Sequence, residues 1–196
     1  KIGIDLDNTI ISYDRIFFKL ALKKKLIPKD FSHKREKIRN FIKSRKGIDQ
    51  WKKLQSDVYS NYLKEAKPQK GFVIFLKLLN KKKINYCIIS HKTKYPYYGK
   101  KINLHKLSRE WLNKNVFKKK TSKNYFKGVF FETTENKKIE RINIEKCDYF
   151  IDDLPSILNK LPCKIKKILI DPGNANSNNY NYLKFKRWKE IFRVFS

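Results

Sequence analysis

Hydrophobic and polar positions alternate at the start of the chain. Ile2, Ile4 and Leu6 are interleaved with Gly3, Asp5 and Asp7, and a period of two predicts a strand over Lys1–Leu6. The period lengthens from Tyr13 to about Glu65. Arg15–Leu22 and Ile38–Ile42 carry apolar residues at helical spacing, and Asp49–Leu54 opens a further helix with Asp49 as its expected N-cap. This helical block ends near Lys67-Pro68. Gly71–Lys82 then predicts an amphipathic helix leading into a buried strand over Tyr86–Ile89. The Lys- and Tyr-rich stretch Thr93–Lys127 is expected to be mostly loop, with one short helix near Leu107–Leu112. Further strands are expected at Gly128–Thr134, Cys147–Asp152 and Lys166–Asp171, with a short helix at Lys138–Ile144 between the first two. Asp171-Pro172-Gly173 and the Asn-rich run to Asn181 predict a loop, and Tyr182–Phe192 a closing strand and short helix. There is no internal repeat. Strands alternating with helices predict an α/β fold with a largely parallel sheet.

Composition narrows the class. The 196 residues suffice for one well-packed domain, or a domain with a modest insertion, and 40% hydrophobic with 14% aromatic content indicates a globular chain. The longest apolar run, Phe72–Leu76, is far too short to cross a bilayer, and no secretory-type apolar segment is present near Lys1. No membrane association is expected. Cys87, Cys147 and Cys163 show no C-x-x-C spacing and are expected to be reduced and non-catalytic. A cytoplasmic protein is the expectation.

Charge changes the picture less than its size suggests. The formal net charge is +30, but the basic residues are 40 Lys and 8 Arg, scattered along the whole chain. Surfaces that read bases favour Arg forks. The abundance of Lys, Asn, Ile and Phe also matches an A/T-rich codon bias. The expected consequence is a general attraction for anionic substrates; specific binding of nucleic acid is not expected. The Lys runs 23–25, 81–83 and 118–120 read as solvated faces. His33, His91 and His105 lack zinc spacing and read as surface or loop residues; lining the site is the lesser reading for His91, beside Ser90. Trp51 reads as core.

Candidate chemistry gathers at strand ends, where open α/β sheets bind ligands. Asp5 and Asp7 follow the first strand, Ser90 follows Tyr86–Ile89, and Asp152 and Asp153 follow Cys147–Ile151. Lys137 or Lys138 opens the helix before that last strand. Residues two apart on a strand share a face, so Asp5 and Asp7 can address one site. With Asp152 and Asp153 that site holds up to four carboxylates, whose repulsion calls for a cation. All-oxygen donors favour a hard one, Mg²⁺. Asp171 also follows a strand, but Pro172-Gly173 marks a turn, so a structural role is expected.

In order, Asp5-Leu6-Asp7-Asn8-Thr9, Ser90, Lys137/Lys138 and Asp152-Asp153 resemble the four motifs of the haloacid dehalogenase-like (HAD) phosphohydrolases. The resemblance spans about 140 residues of the chain and extends to the ending Tyr182–Ile191. It implies a Rossmann-like three-layer core, residues 1–12 and 66–196, with a small α-helical cap inserted over 13–65. It also implies roles. Asp5 would be the nucleophile that forms an aspartyl-phosphate. Asp7 would protonate the leaving oxygen and then activate water. An Asp at that second position, rather than an apolar residue, favours phosphoryl transfer over dehalogenation. Ser90 and the lysine would hold phosphoryl oxygens, with Lys138 preferred because Ile139 and Ile142 give its helix an apolar face. Asn8 and Thr9 would shape the phosphate-binding turn. Mg²⁺ would be bound by Asp5, by Asp152, by the main-chain carbonyl of Asp7, and by Asp153 directly or through water. The expected substrate is a small phosphorylated metabolite such as a sugar phosphate. A nucleoside monophosphate, a polynucleotide end, and an inactive binding protein of the same fold are the alternatives.

Overall fold

The computed structural model describes residues 1–117, 125–171 and 181–195. Its centre is a six-stranded parallel sheet in the order β5-β4-β1-β6-β7-β8. The strands are β1 (Ile2–Ile4), β4 (Tyr86–His91), β5 (Phe126–Glu132), β6 (Tyr149–Asp152), β7 (Lys166–Ile170) and β8 (Leu183–Phe185). Two further short strands, β2 (Ile11–Ser12) and β3 (Lys67–Pro68), pair antiparallel away from this sheet. β1 lies between β4 and β6, with Ile4 beside Ile88 on one side and Ile151 on the other.

Alternate residues of these strands serve two separate apolar layers. On one face, Cys87, Ile89, Phe150 and Leu169 pack with α6 (Glu135–Ile144) and α7 (Pro155–Lys160). On the other, Ile2, Ile4, Tyr86, Ile88 and Ile168 pack with α4 (Phe72–Lys81), α5 (Leu104–Asn115) and α8 (Trp188–Ile191). This is the three-layer, Rossmann-like α/β arrangement. Gly3 is required at its centre. A Cβ on Gly3 would lie 2.6 Å from the Phe150 ring and 2.9 Å from Cys147 Sγ.

The segment between β2 and β3 is helical: α1 (Asp14–Lys23), α2 (Arg35–Lys46) and α3 (Ile48–Tyr59), then a 3₁₀ turn at Leu63–Glu65. Phe17 stacks on Trp51 and meets Tyr59 edge-on, while Tyr13 packs against both Phe17 and Tyr59. Apolar side chains from these helices and from the sheet layer belong to one continuous cluster.

Several local expectations change. Asp49 lies in the first turn of α3, not at its N-cap; Gly47, at φ 89°, holds that position. Asp49 accepts a hydrogen bond from the Tyr98 hydroxyl instead, at 3.0 Å. The helix expected at Leu107–Leu112 runs from Leu104 to Asn115, because Leu104, Ser108, Trp111 and Leu112 bury one stripe and Asn103 caps it. Helix α7 was not anticipated. Ser90 and His91 belong to β4 rather than following it. The expected loop over Pro172–Tyr180 and the lysine run 118–120 lie outside the described residues. Among the described residues, no helix is long and apolar enough to cross a membrane.

Candidate active site

The turn after β1 brings the acidic residues to the carboxyl edge of the sheet. Asn8 adopts φ 66°, a left-handed conformation that Asn tolerates better than most side chains. The chain thereby reverses, so that Ile10 and Ile11 donate to the Leu6 carbonyl. Gln69 donates to the Asn8 carbonyl at 3.0 Å, and Trp188 Nε1 donates to the Thr9 carbonyl at 3.2 Å. The loop carrying Asp5 and Asp7 is therefore tied from both α4's approach and α8.

Asp5 is buried, and its Oδ1 accepts from Lys138 Nζ at 2.6 Å. The same ammonium donates to Asp152 Oδ2 at 2.7 Å, while the Leu154 backbone N–H donates to Asp152 Oδ1 at 2.9 Å. Lys138 reaches both because Thr134 caps α6 and starts the helix three residues before it. Lys137 is exposed and does not line the cleft over these groups, so of the two candidate lysines it is Lys138 that reaches the site. Burial alone would lower the Lys138 pKa. Asp152 and Asp5 outweigh it and hold the ammonium above the usual lysine range. Burial also pushes Asp5 up to about 6, against the pull of Lys138 and with reinforcement from Asp152. Asp153 is raised well above the usual carboxylate range, chiefly by burial and then by Asp152.

Asp5, Asp152 and Asp153 offer carboxylate oxygens that all lie within 4.8 Å of one another. Three oxygen donors this close fit a hard divalent cation such as Mg²⁺, which prefers carboxylates. Asp7 is not in this cluster. Its side chain accepts from the Tyr13 hydroxyl at 2.8 Å on Oδ1 and from Lys92 Nζ at 2.6 Å on Oδ2. Burial and the Asp7 charge raise the Tyr13 phenol well above its ordinary value, so it remains a donor. The four aspartates are thus partly compensated by protein cations: Lys138 for Asp5 and Asp152, Lys92 for Asp7, and Arg35 for Asp153 at 3.5 Å. To the metal ion and single lysine expected from the sequence, the structure adds Lys92 and Arg35.

A cleft of about 240 Å³ opens over these groups. Asp5, Asp7, Asn8, Ser90, Lys138 and Asp153 line its floor. Arg35, Arg39, Gln55 and Tyr59 line it from α2 and α3, and Tyr97 from the loop after β4. The Asn8 amide oxygen is buried and has no partner among the described residues. Ser90 is buried on the cleft wall, and His91 also lines it while its ring contacts the Thr133 carbonyl. Thr9 is not on the wall. Its hydroxyl donates to Asp153 Oδ1 at 3.3 Å, which makes it a support for that carboxylate rather than a phosphate ligand. His105 contacts the Lys92 carbonyl, His33 packs on Phe18, and Asp171 pairs with Lys184.

Lys92, Tyr13 and Arg35 escaped the sequence reading. Lys92 carried one usable signal, its position two residues beyond Ser90 on the same extended segment. Arg35 and Tyr13 carried none, because their contacts arise from the docking of α1 and α2 onto the sheet edge.

Neither protein-family models nor curated proteins match the sequence. Solved structures do match the fold. A HAD-superfamily hydrolase from Ehrlichia chaffeensis aligns at TM-score 0.54 and 16% identity, covering 98% of this chain and 94% of that one. A dehalogenase with an intermediate complex aligns at TM-score 0.62 and 9% identity, covering 98% and 95%. A HAD family hydrolase from Deinococcus radiodurans R1, with bound phosphate and sodium, aligns at TM-score 0.56 and 10% identity, covering 99% and 93%. Identities this low speak to architecture alone, and the alignments cover 98–99% of this chain: the protein has the haloacid dehalogenase-like fold.

Proposed function

We propose that the protein is a Mg²⁺-dependent phosphatase that hydrolyses a small phosphomonoester through an aspartyl-phosphate on Asp5. One observation carries this reading. A buried aspartate is held by a buried lysine at 2.6 Å, within a cluster of three carboxylates, at the carboxyl edge of a parallel sheet. The likeness to HAD hydrolases, one of them with phosphate bound, supports a hydrolase. An aspartate at position 7 supports phosphoryl transfer over the dehalogenation chemistry of another structural relative.

The residues divide the work as follows. Lys138 engages Asp5 Oδ1, so Oδ2 attacks phosphorus. The Oδ2–P bond forms as the ester P–O bond breaks, and the departing oxygen takes the bonding pair and a proton from Asp7. Water then attacks phosphorus, Asp7 accepts its proton, and Asp5 and inorganic phosphate are released. Ser90, Lys138 and the Asn8 turn hold the phosphoryl oxygens. Asp5, Asp152, Asp153 and the Asp7 carbonyl would hold Mg²⁺, which supplies charge neutralisation at the phosphoryl group. The helices over residues 13–65 act as a cap that shields the reaction from water. A cleft of about 240 Å³ suits a small ester such as a sugar phosphate better than a polymer end.

The test is Mg²⁺-dependent release of phosphate across a panel of phosphorylated metabolites, comparing wild type with Asp5→Asn. Turnover that requires Mg²⁺ and disappears in Asp5→Asn is expected. Equal rates in both proteins, or none with any ester, overturns the reading.

A further inference from the structure

The proposed mechanism gives no task to Lys92, the cation in contact with Asp7. The Lys92 side chain is 2% exposed, and its Nζ lies 2.6 Å from Asp7 Oδ2 and 4.8 Å from the centre of the Tyr59 ring. Its main chain is fixed as well: the Lys92 N–H donates to the Glu132 carbonyl, and its own carbonyl contacts His105. Lys92 lines the cleft together with Asp7. A lysine is costly to bury, and an exposed partner would have served an ordinary surface ion pair.

Its position relative to the reaction follows from Asp7. An oxygen that takes a proton from Asp7 must come within about 3 Å of that carboxylate. Lys92 Nζ, 2.6 Å from Asp7 Oδ2, then lies within about 6 Å of the departing oxygen when Oδ2 carries the proton. Lys138 sits at the other aspartate, on the side of the entering nucleophile. The site therefore has a lysine at each end of the bond exchange. The charge balance points the same way. A divalent cation and a dianionic phosphoryl group cancel; with Asp7 carrying the proton it gives up, Asp5, Asp152 and Asp153 face Lys138, Arg35 and Lys92. Lys92 is the member of this set on the side where the alcohol departs, facing the negative charge that develops there as the P–O bond breaks.

We infer that Lys92 is a charge-stabilising residue of the reacting centre, neutralising negative charge on the departing oxygen, and that the substrate is the phosphate ester of an aliphatic alcohol. This rests on the phosphatase reading and deepens it. Aliphatic alkoxides are strongly basic and gain most from a nearby cation. An aryl or acyl leaving group disperses its own charge and gains little. The ammonium transfers no proton in this role. It holds Asp7 in place and lowers the cost of breaking the P–O bond while Asp7 delivers the proton.

The experiment measures kcat/KM with Mg²⁺ for glycerol phosphate, phenyl phosphate and p-nitrophenyl phosphate, in wild type, Lys92→Gln and Lys92→Arg, with Asp5→Asn as the blank. kcat/KM is the quantity to read because it covers the steps through loss of the alcohol. Wild type is expected to vary little across the series. Lys92→Gln is expected to lose about 10–10²-fold on glycerol phosphate and under about tenfold on p-nitrophenyl phosphate, with Lys92→Arg recovering most of the loss. Equal losses on all three esters, with no recovery by Lys92→Arg, overturn the inference and leave Lys92 a structural ion pair. If Lys92→Gln does not fold, Lys92→Arg decides: a wild-type dependence on the leaving group supports the role, and a uniform loss overturns it. Absence of any Asp5-dependent turnover in wild type overturns the phosphatase reading and this inference together. Asp5-dependent turnover with uniform losses overturns only the inference.

Discussion

At the scale of single residues, Asp5 is the position where burial and chemistry conflict. Its folded pKa of about 6 lies above the unfolded value of 3.8. The stability contributed by the protonated form is complete below the lower value and lost as pH rises through the upper one. Metal-free protein at neutral pH therefore carries a strained carboxylate that Asp5→Asn removes. We expect Asp5→Asn, kept in chelator, to be more stable than wild type by roughly 1–3 kcal/mol at pH 7. That advantage should shrink as pH falls through 6 towards 4, read as the difference in Tm between the two proteins. A constant difference across that range would assign Asp5 an ordinary carboxylate. Gly3 tests packing independently. Gly3→Ala must push a methyl into the Phe150 ring and Cys147 Sγ, an overpacking expected to cost about 1–3 kcal/mol in urea unfolding.

At the scale of elements, the loop between β4 and α5 is the part that joins the sheet to the helical insertion. The Tyr98 N–H donates to Ser56 Oγ and its hydroxyl to Asp49, so α3 and this loop form one wall of the cleft. Lys52 and Lys53 add contacts over the Tyr97 and Tyr98 rings. Ser56→Ala, which deletes the internal acceptor, is expected to raise KM several-fold with little change in kcat, since it loosens the wall without touching Asp5 or Asp7. These ties also mark where sequence reading stops. The alternation of Ile2, Ile4 and Leu6 and the paired aspartates at 152–153 made the parallel sheet and its acidic edge legible, because strand faces and strand ends follow from local order. Lys138 could be preferred over Lys137 from the apolar face of its own helix. Lys92 and Asp7 meet across 85 residues, and Arg35 reaches Asp153 only because α2 docks over the cleft. No local pattern encodes such meetings. Strands of two residues, as in β2 and β3, are likewise too short to show a period, and six-residue α7 shows less than two turns.

At the scale of the whole molecule, two expectations follow. Mg²⁺ at about a hundred times its dissociation constant adds roughly 2.7 kcal/mol to a folded state that alone binds it, raising Tm by about 5–10 °C for a chain of this size. Asp153→Asn should remove most of that rise, and calorimetry with and without the ion checks it. The second concerns the insertion over residues 13–65. Its apolar side chains belong to the same cluster as the sheet layer. Replacing it with a short turn between β2 and β3 should therefore give an unfolded or aggregating chain rather than a trimmed domain, visible as loss of the cooperative thermal transition.

The placement of β1 bears on how the molecule assembles. This strand is made before either neighbour, yet it pairs with residues 86–88 on one side and 149–151 on the other. The Thr9 carbonyl beyond it waits for an indole 179 residues further along the chain. Contacts of such long sequence separation slow folding and leave intermediates exposed to aggregation. A ribosome-stalled chain ending before β6 should lack the pairing that closes the acidic loop, so competence to turn over an ester is expected to emerge late in synthesis.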